Sequence, residues 1–189
     1  MSPRNFFNPR LMNPYWGTIS ETEKQDWIEA AVLVPCLTVD GQDHLILTKR
    51  TEDVLHHKGQ ICFPGGACDP GDKSLWETAL RETREELGLD PARVKFLKEM
   101  PRQYTPTGFR VTPFVGRIDA PAVWSPNPVE IAAVFSVPFS HLRDPANLRL
   151  LKKVYEGREF LDPHFIYEGH EIWGMTGRIL CELFEINPY

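Results

Sequence analysis

Nothing in these 189 residues stays apolar over the roughly 18 positions a membrane helix needs; the longest such stretches, as from Ala30 to Leu37, are strand-sized. Cysteine is scarce. Cys36, Cys62, Cys68 and Cys181 include no C-x-x-C pair, which speaks against a disulfide framework or a thiolate zinc site and for a reducing compartment. Basic excess is missing too: 21 Lys and Arg against 26 Asp and Glu leave a net charge of −5. That balance excludes binding of nucleic acid through a broad positive field, but not a nucleotide substrate, because metal ions can supply positive charge locally. There is no internal repeat and no low-complexity tract. The opening MSPRNFFNPRLMNPYW has no apolar core of a secretory signal, and the final Asn-Pro-Tyr is no peroxisomal address. The expectation is a soluble cytoplasmic protein, with neither nucleic acid nor membrane as a partner, acting as a monomer or homodimer.

What is present suits a globular domain. Hydrophobic residues make up 42% and charged residues 25%, enough apolar surface for a sizeable core. Residues 1–28, rich in Pro, Asn and aromatics, read as an arm packed on a single body spanning 29–189. Glu29–Thr38 is a continuous apolar run and predicts a buried strand; Asp40-Gly41 turns the chain into a second strand, His44–Arg50. Thr51–Gly59 reads as a loop, Gln60–Pro64 as a short strand and Cys68–Asp72 as a turn. Val94–Met100, Arg110–Asp119 and Ala132–Val137 read as strands, Ser140–Arg143 as a short helix. Arg149–Tyr155 with Glu159–Tyr167 reads as a polar hairpin, and Met175–Phe184 as a closing helix packed through Ile179, Leu180, Leu183 and Phe184. Strands in antiparallel-looking clusters around two helices favour a mixed α/β (α+β) layered fold.

The clearest helix is Ser74–Leu87. Ser74 and Glu77 form an S-x-x-E capping box and Gly88 is the expected stop. Trp76, Ala79, Leu80, Thr83 and Leu87 make one apolar stripe. Glu82, Glu85 and Glu86, at i, i+3 and i+4, gather three carboxylates on one surface, with Glu82 and Glu86 bordering the stripe and Glu85 further round. Like charges at this spacing repel, and the C-terminal half of a helix disfavours anions. A divalent cation such as Mg²⁺, which takes carboxylate, water and phosphate oxygens, would reverse that balance. Taken alone, the cluster also suits a solvated acidic face.

Its context is more specific. Arg81-Glu82-Thr83-Arg84-Glu85-Glu86-Leu87-Gly88-Leu89 resembles the R-E-U-x-E-E-x-G-U signature of the Nudix hydrolases, with Gly66 as the leading glycine. Asp72 stands where most members have glutamate, eight residues rather than seven separate it from Arg81, and Thr83 replaces an aliphatic residue. The extra residue is shared with a subgroup resembling the coenzyme A pyrophosphatases. Phe63-Pro64-Gly65-Gly66, Asp69, Asp72 and Ala79-Leu80-Arg81-Glu82 match that subgroup's pattern, as do Ile46-Leu47-Thr48-Lys49-Arg50-Thr51 and Gly59 upstream. Leu55 stands where the subgroup has arginine, and Thr51 where it has serine. Gly108–Gly116, Val129–Pro138 and Trp173-Gly174-Met175-Thr176 extend the resemblance over residues 30–185.

The resemblance implies a Nudix fold, a mixed β-sheet sandwiched between helices. It also implies metal-dependent hydrolysis of the pyrophosphate of coenzyme A or its thioesters, giving 3′,5′-ADP and (acyl-)4′-phosphopantetheine. ADP-ribose or a nucleotide sugar is the alternative substrate, and a non-catalytic nucleotide-binding module the alternative class. Mg²⁺ or Mn²⁺ would be held by Glu82, Glu86 and Glu85, the last being a third ligand or the residue that orients water. Glu130, in a loop before a strand, is a candidate general base or a plain exposed carboxylate. Lys49, Arg50 and His57 are candidate phosphate contacts, as is the backbone of Gly65 and Gly66, where no Cβ blocks approach. Arg81 would pair with Asp72 or Glu85 and brace the helix against the loop, while Asp69 and Asp72 would cap the turn rather than touch metal. Tyr104, Phe109 and Trp124 could stack on adenine or simply pack.

Overall fold

The computed structural model describes residues 26–53, 58–105, 107–119, 122–155 and 158–186. The arm expected at residues 1–28 falls almost wholly outside them, as do Leu55, His56 and His57. The elements are β1 (Ile28–Val39), β2 (Gln42–Arg50), β3 (Ile61–Cys62), β4 (Gly65–Ala67), α1 (Leu75–Leu87), β5 (Val94–Glu99), β6 (Gln103–Tyr104), β7 (Phe109–Ile118), β8 (Ile131–Pro138), α2 (Phe139–Arg143), β9 (Leu148–Tyr155), β10 (Arg158–Tyr167), β11 (His170–Ile172) and α3 (Gly174–Leu183). A large sheet runs β3-β2-β1-β7-β5, with β4 on β1, β6 on β7 and β8 on β2; β9, β10 and β11 form a second sheet.

β1 is apolar and buried from Ala30 to Leu37 because both its faces are covered. Ala30, Val32, Val34 and Cys36 share a core with Ile179, Leu180 and Cys181 of α3. Ala31 and Leu33, on the other face, pack with Ala79 and Trp76 of α1. Alternation along a strand sends successive side chains to opposite faces, so a helix on each side demands an uninterrupted apolar run. Leu33 is wholly buried, and burying such a side chain stabilises the fold by about 1.5–3 kcal/mol.

The sheet is mixed, as expected: β1 and β7, at the centre, pair in parallel from Ile28 opposite Phe109 to Cys36 opposite Arg117, while two other readings, of the capping box and the hairpin, need correcting. A parallel pair needs a long crossover, which the segment bearing α1 supplies. The capping box of α1 is not reciprocal. Ser74 Oγ accepts from Glu77 N at 3.2 Å, but Glu77 Oε2 accepts from Lys73 N, one residue early, at 2.8 Å. The hairpin β9–β10 is polar on one side only, since Phe165 is wholly buried in the main core. On α1, the inward face is Thr78, Ala79, Thr83, Glu86 and Leu87, with Trp76 and Leu80 half-buried. On α3, Leu183 and Phe184 are only partly buried while Ile179, Leu180 and Cys181 are enclosed. No helix among the described residues is long and apolar enough to cross a membrane.

Candidate active site

Because β2 and β8 run antiparallel to their neighbours while β1 and β7 run parallel, one end of the sheet gathers the start of β1, the end of β2 and the start of β8. The acidic half of α1 comes to this end. β4 pairs with the first residues of β1, Gly66 opposite Ala31. A Cβ on Gly65 would stand 2.3 Å from the carbonyl oxygen of Ala31, and one on Gly66 2.5 Å from the Glu82 carboxyl carbon. Glycine is therefore what lets strand, loop and carboxylate close on one another.

Glu86 is the most enclosed of the acidic set, its side chain 3% exposed. Gly65 N donates to its Oε2 at 3.2 Å, and Arg50 Nη1 to its Oε1 at 3.2 Å. Burial pushes its carboxyl up to about 7, against the opposing pull of Arg50 and the Gly65 N–H. Glu82 is raised by burial as well, with Arg81 opposing. Glu85, further round the helix, is 58% exposed.

Glu130 reaches the same group through Arg50, whose Nη2 lies 3.6 Å from Glu130 Oε2. Main-chain bonds place it there. Ser125 N donates to Leu87 O and Asn127 N to Glu86 O, both at 2.9 Å, so the loop is stitched to the open carbonyls at the end of α1. Glu130 and Ile131 N–H groups then turn back to Asn127 O, and Thr51 N donates to Glu130 O. Asn127 Nδ2 also meets Glu130 Oε1 at 3.4 Å.

Arg81 latches the helix to the preceding turn. Its Nε and Nη2 grip both oxygens of Asp72 at 3.0 Å, Nη2 also reaches Ala67 O, and Nη1 meets Glu82 at 2.8 Å and Glu85 at 3.2 Å. The guanidinium holds the Asp72 carboxyl down to about 2. Asp72 Oδ2 further accepts from Asp69 N and Thr78 Oγ1, closing the turn.

Other sequence candidates fall elsewhere. Lys49 alternates with Arg50 along β2, which turns it to the face of Leu45 and Leu47, away from α1, and it forms no ion pair with a described carboxylate. The Gly65 N–H is engaged by Glu86. Tyr104 packs edge-on against Trp27 at 5.2 Å, Phe109 joins the core, and Trp124 rests on the cluster of Leu37, Ile46, Leu89 and Ile118. All four cysteines are free, Cys36 and Cys181 buried. Sequence reasoning missed Asn127, whose Pro-Asn-Pro setting signals a turn, and, for Thr176 of the Trp173-Gly174-Met175-Thr176 motif, the bond from its hydroxyl to Ile61 O in β3.

The NUDIX domain family matches residues 28–160, well over half of the chain. The chain belongs to the Nudix hydrolase family. An uncharacterized Nudix hydrolase, NudL, of Pectobacterium atrosepticum is 38% identical over 158 residues, covering 82% of this chain and 80% of the relative. Nudix hydrolase 3 of Caenorhabditis elegans is 35% identical over 178 residues, covering 84% and 73%. The crystal structure of the Nudix hydrolase RenU from M. smegmatis aligns with a TM-score of 0.51 at 20% identity, over 61% of this chain and 80% of that one, a likeness of fold. The protein is thus an enzyme hydrolysing a nucleoside diphosphate derivative, on the mixed α+β fold expected of it.

Nudix hydrolases generally need divalent metal ions, and the residues here fit one. The donors at this end of the sheet are carboxylate oxygens, hard ligands suited to such an ion. Glu86 is a buried carboxylate that burial alone would neutralise, and Gly66 leaves room for Glu82. Among the described residues no three such side chains already converge as ligands; Arg50 engages Glu86 and Glu130, and Arg81 engages Glu82 and Glu85.

Proposed function

We propose that this Nudix hydrolase cleaves the pyrophosphate of coenzyme A or its thioesters, with Mg²⁺ or Mn²⁺ held by Glu82, Glu86 and Glu85. The observation that carries the site is the arrangement of Glu86 and Glu130 on either side of Arg50, beside the glycine strand β4. The coenzyme A assignment rests on Phe63-Pro64-Gly65-Gly66, the aspartates at 69 and 72, and the Leu47-Thr48-Lys49-Arg50 stretch.

A diphosphate repels an incoming hydroxide, and a bound divalent cation supplies charge neutralisation and a more acidic water. The residues of the chain do the rest. Glu130, 42% exposed and tied in place through its backbone, is positioned to take a proton from water, and Glu85 is the other acceptor in the group. The water oxygen bonds to one phosphorus, the anhydride P–O bond breaks, and the second phosphate leaves with the electron pair. Arg50 offers the substrate phosphates a planar cation. Arg81 and Asp72 hold helix and turn at fixed separation. The enzyme acts on a small nucleotide in the cytoplasm, as a monomer or homodimer.

The test is turnover of a substrate panel by the purified protein with Mg²⁺ or Mn²⁺, products resolved by chromatography. Coenzyme A should yield 3′,5′-ADP and 4′-phosphopantetheine. Faster turnover of ADP-ribose or a nucleotide sugar would overturn the coenzyme A reading in favour of that nucleoside diphosphate derivative.

A further inference from the structure

Arg50, expected from the sequence as a phosphate contact, instead faces two carboxylates. It closes β2, and a register shift against β8 falls between Lys49 and Arg50. Its side chain is 20% exposed, yet both terminal nitrogens point at carboxylates, Glu86 at 3.2 Å and Glu130 at 3.6 Å. Its Nε is buried with no hydrogen-bond partner among the described residues. The fork is committed to carboxylates at its tip, while deeper in, the side chain meets the Cys62 thiol. Two carboxylates flanking one cation is also the charge pattern that a divalent ion presents to its ligands.

We propose that Arg50 is an internal counter-ion that occupies the charge position of the metal in the metal-free enzyme and is exchanged for it, leaving the guanidinium available to the substrate diphosphate. The inference rests on the reading of Glu86 as a metal ligand. Its physical basis is compensation: a carboxylate as enclosed as Glu86 is costly to leave charged without a partner. The ion pair with Arg50 meets that need before metal arrives, at the expense of competing with it. Arg50 then differs from a residue that only binds phosphate. Removing a pure phosphate contact leaves metal affinity alone; removing a competing counter-ion raises it.

Mn²⁺ binding, followed by calorimetry without substrate, separates the cases. Arg50→Gln should bind Mn²⁺ about tenfold more tightly than the native protein, the equivalent of one ion pair worth about 1.4 kcal/mol. It should also melt at lower temperature in chelator and gain more from added Mn²⁺. Unchanged or weaker Mn²⁺ binding by Arg50→Gln overturns the proposal. A second measurement needs no loss of side chain. In the native protein labelled with ¹⁵N-arginine, the Nε–H resonance that disappears in Arg50→Lys should shift on adding Mg²⁺, and a resonance that stays put overturns the exchange. Glu86→Gln distinguishes the two levels. If it leaves Mn²⁺ affinity unchanged, the metal-ligand reading itself fails; if it weakens binding while Arg50→Gln does not strengthen it, only the exchange fails.

Discussion

Replacing Gly66 by alanine tests whether the place of the Glu82 carboxylate matters to the reaction. The new Cβ would sit 2.5 Å from the carboxyl carbon and 2.6 and 2.7 Å from its oxygens. Ordinary contact requires the carboxylate to retreat by about 1 Å, and a misplacement of that size commonly costs on the order of 100-fold in rate. The atoms in the way are the far end of a flexible side chain, so the fold itself should lose about 1 kcal/mol or less, a melting shift of roughly 2–4 °C. Gly65→Ala is the contrast. There the Cβ meets backbone, Ala31 O at 2.3 Å and Val32 Cα at 2.6 Å, at a φ of 153°. Main chain in a central strand does not yield, and a loss of about 3 kcal/mol or more is expected, near 10 °C in melting. Steady-state turnover with saturating Mn²⁺ and scanning calorimetry read the two quantities. Full turnover in Gly66→Ala would show that Glu82 need not stand where it does, and a melting temperature as low as that of Gly65→Ala would refute the distinction between yielding and unyielding neighbours.

Burial raises the Glu86 carboxyl to about 7 in the metal-free fold, above which it ionises and pairs with Arg50, whereas in an unfolded chain it ionises near 4.3, so its stabilising contribution is complete below about 4.3 and disappears as pH rises through 7. Urea unfolding in chelator should show stability declining from pH 5 to 8, with Glu86→Gln reducing that slope; Glu182, also raised to about 7 by burial, contributes the same sign and leaves a remainder. An unchanged slope in Glu86→Gln would contradict the assignment. Asp72 behaves oppositely: held down to about 2 by Arg81, it stabilises the fold above about 4 and loses that contribution as pH falls toward 2. Arg81→Ala should therefore destabilise the protein more at pH 6 than at pH 3, and equal losses at both would refute the latch. Thr83→Val should change stability by less than about 1 kcal/mol, since the buried hydroxyl only back-bonds to Ala79 O at 2.6 Å; a larger drop in the urea midpoint would show that the hydroxyl matters.

Much of this was legible in residue order wherever one element determined the outcome. The ends of α1 follow from Ser74 and Gly88, and the greater exposure of Glu85 than of Glu82 and Glu86 follows from helical angle, whereas the deeper burial of Glu86 comes from Gly65 and Arg50 closing on it. Pairings between distant segments were not. β7 lies beside β1 in parallel with some 70 residues between them, and no local pattern encodes that adjacency. Lys49 and Arg50 are neighbours in sequence with the same charge, yet the pleat sends them to opposite faces of the sheet. The shared hold of Arg50 on Glu86 and Glu130 depends on three elements meeting, and nothing short of the fold reveals it.

The loop from Ser125 to Ile131 is anchored through amide and carbonyl groups that every residue but proline can offer. Apart from Asn127, whose amide accepts from Val129 N and meets Glu130, and the buried Ile131, its side chains are accordingly released from architectural duty and can be rewritten to suit a different leaving group, while Glu130 keeps its station. Its length has no such licence, because one residue more or fewer would uncouple the anchor points. Divergence of this enzyme toward new substrates should thus proceed here by substitution, and insertions should accumulate in other connections.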